Sequence, residues 1–239
     1  AASTVNSNNI ARNNHVYKFS QNPTLGSDGQ GVTIERVSSK AKSIGDKIEN
    51  NLIHGSKFIG AVRYGGLRLS VARNEMYKVL DSVDDAGVVY SGRTLNEFGN
   101  YVTENYIHDF SVISPSRYVN MAIYWDDYLS GQTAERNIIV SPNSSRATLL
   151  GIRTIGYDNV MKNNILVDAY YALRLSNRGS VDVSASAQDN VYAGLSTLPA
   201  TDYERYNDMS AFKTVLDNNS KYMVYKASTE KNVIVNSKY

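Results

Sequence analysis

An asparagine recurs along this chain in a fixed local frame, with an apolar residue three positions before it and a second apolar residue two positions after it. From Asn51 to Asn190, successive copies are 23, 31, 32, 26 and 27 residues apart. A period of this length predicts a solenoid, in which each repeat buries its apolar side chains against the neighbouring repeats. The copies of the frame are Val5–Asn8–Ile10, Ile48–Asn51–Ile53, Val71–Asn74–Met76, Val102–Asn105–Ile107, Ala134–Asn137–Ile139, Val160–Asn163–Ile165 and Ala187–Asn190–Tyr192.

Short β-branched and aromatic runs precede these asparagine copies, and no helical periodicity separates the runs. Two or three short strands in each repeat predict an all-β parallel β-helix formed by the whole chain, residues 1–239. We expect each asparagine to lie at a corner between strands, where its amide can stack and its backbone can adopt the left-handed conformation. A leucine-rich repeat has a similar period, but its leucine frame is missing. The runs occupy residues 61–66, 87–92, 121–127, 149–156 and 171–175.

Residues 197–222 interrupt the repeats. Apolar side chains in this segment recur every three or four residues, which predicts a short helical insertion near the C-terminus. Residues 232–236 return to a strand-like pattern. Neither end carries an obvious cap over the open strands, so we expect the sequence to be a piece of a longer chain.

Composition excludes several function classes. The formal net charge is +2, and no run of five like charges marks a nucleic-acid surface. The sequence contains no stretch of 18 consecutive apolar residues and therefore predicts no membrane span. Cysteine is absent, and the three histidines, His15, His54 and His108, are widely separated in sequence. We therefore predict neither disulfides nor a histidine-based zinc site, and no cofactor, although the sequence leaves a bound Ca²⁺ open.

Paired aspartates beside two strand-like runs are the candidates for acid–base chemistry. Asp84 and Asp85 precede the run at 87–92, and Asp126 and Asp127 end the run at 121–127. Carboxylates are disfavoured in strands unless a partner or a chemical role holds them there. The alternative is that these aspartates cap turns.

Register decides which aspartates can meet. If Tyr64, Tyr90 and Tyr124 form one ladder, Asp126 lies beside Gly92 and Asp127 beside Arg93. Asp85 then lies about seven strand positions away, too far unless the chain bends sharply between Asp85 and Gly87. Adjacent residues of a strand face opposite sides, so only one of Asp126 and Asp127 can point to a shared groove.

The motif order resembles secreted right-handed parallel β-helix proteins related to glycoside hydrolase family 141. It is carried by DDAGVVYSGR, then HDF, then IYWDDYLSG, then GYDNVMKNNI, and the likeness spans about residues 60–235. The resemblance implies a pectate-lyase-like, right-handed solenoid from a bacterial-type secreted, surface or periplasmic protein. It also implies catalytic aspartates at Asp85 and at Asp126 or Asp127. Tyr157 stands where the family usually has an arginine, for which Arg153 is the candidate replacement.

Carbohydrate recognition adds planar rings and polar contacts to the candidate site. The rings are Trp125, Tyr128 and Tyr90, although Tyr90 could instead belong to an internal aromatic stack. The polar contacts are Arg93, His108 and Arg153, and His108 could be a base oriented by the adjacent carboxylate.

Three function classes remain open. A glycoside hydrolase that cleaves a polysaccharide or oligosaccharide with two aspartates is the leading hypothesis. A polysaccharide lyase would instead need a cationic groove, built from Arg63, Arg68, Arg93 and Lys78. The third hypothesis is a non-catalytic, adhesin-type carbohydrate-binding module whose aspartates cap turns. Fold alone does not choose among them.

Overall fold

The computed structural model describes residues 7–22, 31–34, 43–83, 85–94, 96–110, 120–140, 150–167, 171–175, 185–193 and 233–235. Within these ranges the chain is all-β, with 23 strands and no helix. The described part therefore holds no helix with the length and apolar character needed to cross a bilayer. The helical insertion predicted over 197–222 lies outside the described residues, as does Asp84.

Most strands belong to three parallel sheets. The first sheet consists of β1 (Ile10–Arg12), β5 (Lys47–Glu49), β9 (Ser70–Ala72), β12 (Asn100–Thr103), β15 (Gln132–Glu135), β18 (Asn159–Lys162) and β21 (Ala185–Gln188). The second consists of β2 (His15–Tyr17), β6 (Leu52–His54), β10 (Glu75–Tyr77), β13 (Tyr106–His108), β16 (Ile138–Val140), β19 (Ile165–Val167), β22 (Val191–Ala193) and β23 (Val233–Val235).

The third sheet carries the longest strands. It consists of β3 (Val32–Ile34), β7 (Val62–Tyr64), β11 (Gly87–Gly92), β14 (Met121–Asp126), β17 (Leu150–Thr154) and β20 (Tyr171–Leu175). Strands β4 (Ser43–Ile44) and β8 (Gly66–Leu67) form a separate parallel pair. The five strand-like runs predicted from the sequence correspond to β7, β11, β14, β17 and β20, and the predicted strand at 232–236 corresponds to β23.

Successive strands of the chain enter the three sheets in a repeating order. Strands β9, β10 and β11 belong to the first, second and third sheets, and β12, β13 and β14 follow the same order. Within each sheet, a strand pairs in parallel with its equivalent in the next repeat, as Val71 does with Val102. This arrangement of stacked parallel strands is that of a solenoid and agrees with the all-β prediction.

Alternation along the short strands builds the apolar core. In β6, β10, β13, β16 and β19 of the second sheet the central residue of each three-residue strand is fully buried, whereas its neighbours are more exposed. These central residues are register partners, so each repeat covers the apolar side chains of the next. They include Ile53, Met76, Ile107, Ile139 and Leu166, each with 0% exposure.

An asparagine ladder runs between the first and second sheets. Asn74 shows the pattern: its backbone N–H and its Nδ2 both donate to Asn105 Oδ1, each at 3.0 Å. The Nδ2 of Asn105 also donates to the carbonyl of Val71 at 2.9 Å. Buried amide groups stabilise a fold most when each of their polar atoms has a hydrogen-bond partner. The ladder consists of Asn14, Asn51, Asn74, Asn105, Asn137, Asn164 and Asn190.

Two of the predicted ladder positions are wrong. The first member is Asn14 rather than Asn8, and the sixth is Asn164 rather than Asn163. Both true members also fit the local frame, with Ala11 and Met161 three positions before them. The predicted frame is shifted by six residues at Asn8 and by one residue at Asn163. A shift of one residue exchanges the inward and outward faces of a strand.

The left-handed conformation is not adopted by the ladder asparagines. It falls on the residue before each one, as at Arg73, Glu104 and Asn163, whose φ values are 55°, 58° and 56°. Arginine and glutamate accept this position, so it does not require an amide side chain. The prediction that one asparagine supplies both the backbone turn and the stacked amide is therefore wrong.

Candidate functional site

The outer face of the third sheet carries a ladder of cationic and aromatic residues. The register aligns Arg63 with Tyr90, Tyr90 with Tyr124, and Tyr124 with Arg153. The predicted membership of Tyr64 is wrong, because Arg63 occupies its place. Pairing Tyr64 with Tyr90 would move Arg63 to the inner face of the sheet, where Val62 and Val89 now pair in the core.

Asp126 is the centre of the hydrogen bonds on this face. Its Oδ1 accepts from the Tyr124 hydroxyl at 2.8 Å and from the Asp127 backbone N–H at 2.9 Å. Its Oδ2 accepts from the Tyr90 hydroxyl at 3.0 Å and lies 3.5 Å from Arg93 Nε. The residue is only 5% exposed. As the register argument predicts, Asp126 lies beside Gly92.

The surroundings of Asp126 favour its ionised form. Burial acts to raise the pKa of this carboxyl, but hydrogen bonds from Tyr124, Tyr90 and the Asp127 backbone outweigh burial and hold the pKa below its usual range. Burial also raises the pKa of both tyrosines, so their hydroxyls remain protonated donors. Asp126 is thus a fixed negative charge at neutral pH.

Asp85 approaches the same cluster through a sharp bend. Its φ of 52° is left-handed, and its Oδ1 lies 3.5 Å from the Tyr124 hydroxyl and 3.7 Å from Arg153 Nη1. Because the Tyr124 hydroxyl lies 2.8 Å from Asp126 Oδ1 and 3.5 Å from Asp85 Oδ1, these two carboxyl oxygens are within about 6.3 Å of each other. The bend that the sequence argument required is therefore present, at Asp85 itself.

Two glycines of β11 make room for the side chains of β14. A Cβ at Gly92 would lie 2.6 Å from Asp126 Cβ and 2.7 Å from the Asp126 carbonyl oxygen. A Cβ at Gly87 would lie 2.8 Å from Tyr124 Cβ. These glycines are required by close approach between strands, and they set the position of the Tyr124–Asp126 pair.

Three arginines contact the tyrosines and carboxylates of this face. Arg153 lies over the Tyr124 ring at 5.0 Å, and Arg63 lies over the Tyr90 ring at 5.8 Å. The Arg93 side chain is 73% exposed, and its contact with Asp126 is long. A ligand could therefore displace Arg93 at small energetic cost, since exposed ion pairs contribute little.

Asp127 and Tyr128 form the turn that ends β14. The Asp127 side chain is half-buried, and Tyr128 has a φ of 67° and donates its backbone N–H to the Ile155 carbonyl at 2.6 Å. The Tyr128 side chain is also half-buried. In this arrangement Asp126 faces the cluster, and Asp127 contributes its backbone N–H to it.

Trp125 does not belong to this face. Its side chain points into the core and is 0% exposed, because it alternates with Tyr124 and Asp126 along β14. The indole Nε1–H donates to the Tyr64 hydroxyl at 2.8 Å, and this hydroxyl lies 3.1 Å from Gln132 Oε1. The prediction of Trp125 as a surface ring for a sugar is therefore wrong.

We expect the Trp125→Phe variant to lose about 2–3 kcal/mol of unfolding free energy, since it removes buried volume and leaves the Tyr64 hydroxyl with one partner fewer. Trp125 is the single tryptophan of the chain. Its fluorescence should be blue-shifted and insensitive to iodide in the native protein. A red-shifted emission that iodide quenches would contradict its buried position.

His108 is also separate from the carboxylate cluster. It lies in β13 of the second sheet, where its Nδ1 is 3.0 Å from Asp109 Oδ2 and its Nε2 is 3.2 Å from Glu75 Oε1. The predicted contact with Asp109 is present, but the structure does not bring His108 to the aspartates of the third sheet. Among the described residues, no group of three or more histidine, aspartate or glutamate side chains is arranged to hold a metal ion.

The structure therefore brings together Asp85, Tyr90, Arg93, Asp126 and Arg153. Sequence reasoning assigned Arg63 only to the lyase alternative and Tyr124 only to an aromatic stack. The signal for Tyr124 was present, because residues two positions apart on a strand share a face and Tyr124 precedes Asp126 by two. Comparison of the chain with protein-family models, curated proteins and solved structures finds no match.

Proposed function

We propose that this chain is a secreted or cell-surface carbohydrate-active protein whose repeats close into a right-handed parallel β-helix. The cyclic order of strands among three parallel sheets supports the winding, and parallel strands joined by crossovers are almost always right-handed. The motif order resembling glycoside hydrolase family 141 supports the class of activity. The leading activity is hydrolysis of a polysaccharide or oligosaccharide.

One observation carries this proposal: Asp85 and Asp126 lie on one outer face with the Tyr124 hydroxyl between them. Glycoside hydrolases use two carboxyl groups, about 5–5.5 Å apart in retaining enzymes and about 6.5–9.5 Å apart in inverting enzymes. The upper bound of about 6.3 Å between Asp85 Oδ1 and Asp126 Oδ1 is compatible with two carboxyl groups that flank one glycosidic bond.

The environments of the two carboxyls give them different roles. Asp126, ionised and held by two tyrosines, is the nucleophile or the carboxylate that stabilises a developing positive charge. Asp85 has a side chain that is 41% exposed and is the proton donor and acceptor. Arg93 shields Asp126 Oδ2 and moves away when substrate binds.

A polysaccharide lyase is the second candidate, favoured by the cations at the cluster. Arg63, Arg93 and Arg153 lie on the face that carries the carboxylates and could neutralise the acid group of a uronate. In this alternative, Asp126 positions the two tyrosines and an arginine abstracts the proton. Arg68 and Lys78 are not among the described contacts of the cluster.

The test is cleavage of a panel of neutral and uronic polysaccharides, measured by new reducing ends and by the ultraviolet absorbance of unsaturated products. We expect reducing ends without absorbance, and a loss of at least about 10³-fold in kcat for Asp126→Asn and Asp85→Asn separately. Asp109→Asn is the matched control, because this exposed aspartate lies beside the second sheet, and it should retain full activity.

Three outcomes would overturn hydrolysis by this pair. Absorbance that rises with cleavage identifies a lyase. Binding without cleavage by the parent protein identifies a non-catalytic module. Cleavage that survives both substitutions in a folded protein shows that the reaction uses other residues.

A further inference from the structure

We propose that His15 and His54 form a binding site for a divalent transition-metal ion that prefers ligands at right angles, such as Cu²⁺ or Ni²⁺. The two residues are 39 positions apart in sequence, which is why sequence analysis predicted no histidine-based site. In the structure, their Nε2 atoms share a hydrogen bond of 2.8 Å, which a bound ion would replace. The site is independent of the carboxylate cluster, because both histidines lie in the second sheet.

The strand register brings the two imidazoles together. Tyr17 pairs with His54, and His15 pairs with Leu52, in the parallel alignment of β2 and β6. Both histidines are on the outer face, on either side of the inward Val16 and Ile53 positions. His15 is exposed and His54 is half-buried, so an ion could reach the two nitrogens from solvent.

The separation of the nitrogens favours one class of metal. An ion about 2.0–2.1 Å from each nitrogen would make an angle of about 85° between the two bonds when the nitrogens are 2.8 Å apart. This angle suits the square-planar or tetragonal coordination of Cu²⁺ and Ni²⁺. A tetrahedral Zn²⁺ site would need about 3.3 Å between the nitrogens. Water would complete the coordination.

Stacked rings restrict the orientation of both imidazoles. His15 stacks on Tyr17 at 4.7 Å between ring centroids, and His54 stacks on Tyr77 at 4.6 Å. Fixed ring planes reduce the conformational entropy lost when an ion binds. The two nitrogens are therefore partly preorganised before the ion arrives.

The third histidine provides an internal control. His108 lies in the same sheet and also stacks on Tyr77, at 5.0 Å, but its two nitrogens face Asp109 and Glu75 rather than another imidazole. Any general attraction of metals to surface histidine would act on His108 as well, because His108 is half-buried like His54. A site that depends on the His15–His54 pair would not involve His108.

Isothermal titration with Cu²⁺ and with Ni²⁺ at neutral pH tests the proposal. We expect one ion per chain and a weakening of about 100-fold for His15→Ala and for His54→Ala, because losing one of two protein ligands should cost at least as much as losing an outer-shell contact. His108→Ala should bind as tightly as the parent. Electron paramagnetic resonance of the Cu²⁺ complex should show two equivalent nitrogens.

The bound ion should also join the first two repeats, because it connects β2 to β6. We therefore expect Cu²⁺ to raise the Tm of the parent but not of His15→Asn, which keeps a polar side chain at this exposed position. Circular dichroism of each variant checks that it is folded. Equal weakening by His108→Ala, or unchanged binding by folded His15→Asn and His54→Asn variants, would overturn the proposal.

Discussion

Replacing Asn164 with alanine is expected to lower the unfolding free energy by about 2–4 kcal/mol. Asn164 Oδ1 accepts from the backbone N–H and the Nδ2 of Asn137, and its own Nδ2 donates to Ala134 O and Asn190 Oδ1. Asn164 is 0% exposed, so water cannot replace these partners in an otherwise unchanged structure. Each buried group left without a partner costs about 1–3 kcal/mol.

The adjacent asparagine is the matched control. Asn163 is exposed and has a φ of 56°, a conformation that glycine adopts without strain. Asn163→Gly should therefore change the unfolding free energy by less than about 0.5 kcal/mol. Urea unfolding followed by circular dichroism measures both variants. Equal losses at the two positions, or a larger loss at Asn163, would contradict the assignment of Asn164 to the ladder.

The Gly92→Ala variant is expected to lose about 3 kcal/mol of unfolding free energy and to displace Asp126. The added Cβ would overlap Asp126 Cβ and its carbonyl oxygen, at 2.6 and 2.7 Å, and neither is the mobile end of a side chain. Strands β11 and β14 would have to separate at the point where Asp126 meets Tyr90 and Tyr124. Overpacking of this kind lowers the unfolding free energy by about 1–3 kcal/mol. We expect a value at the upper end of this range, because the added Cβ overlaps a backbone atom.

Ser91→Ala is the control for the glycine substitution. Ser91 is the neighbouring residue of β11, is 1% exposed, and points to the inner face. Its Oγ has no hydrogen-bond partner among the described residues. Removing this hydroxyl should leave stability unchanged or raise it by about 1 kcal/mol. A Gly92→Ala protein as stable as the parent, with unchanged activity, would contradict the close packing of Gly92 against Asp126.

The period of the asparagine frame was sufficient to predict parallel strands stacked by repeat. It was insufficient to fix the register at the adjacent Asn163 and Asn164. At Asn163 and Asn164 both frames are apolar, and the two differ in whether Val160 and Ile165 or Met161 and Leu166 are buried. Burial by the neighbouring repeats makes that choice, and such contacts are not visible within one repeat.

The site illustrates a second limit of sequence reasoning. Alternation along residues 121–127 requires that Trp125 and Asp126 face opposite sides, but every residue of β14 is buried, so hydrophobicity did not show which side is the core. The conformation of Asp85 was not predicted either, because aspartate tolerates a φ of 52° but does not require it. The approach of Asp85 to Asp126 depends both on which side of β14 faces the core and on the bend at Asp85.

The pairing of residues one repeat apart underlies the ladder, the carboxylate cluster and the histidine pair. Cysteine cross-linking measures it directly, because the chain has no cysteine of its own. Tyr106 and Ile138 are register partners on the outer face of the second sheet and are 40% and 43% exposed. Neighbouring strands are about 4.8 Å apart, which is within the Cα separation that a disulfide spans.

The decisive comparison uses two double variants, Tyr106→Cys with Ile138→Cys, and Tyr106→Cys with Ile165→Cys. Ile165 pairs with Ile138 and so lies two repeats from Tyr106, about 10 Å away. Under mild oxidation, mass spectrometry should find an intramolecular disulfide in the first variant and free thiols in the second. Free thiols in the first variant, or a disulfide in both, would contradict the stacking of successive repeats.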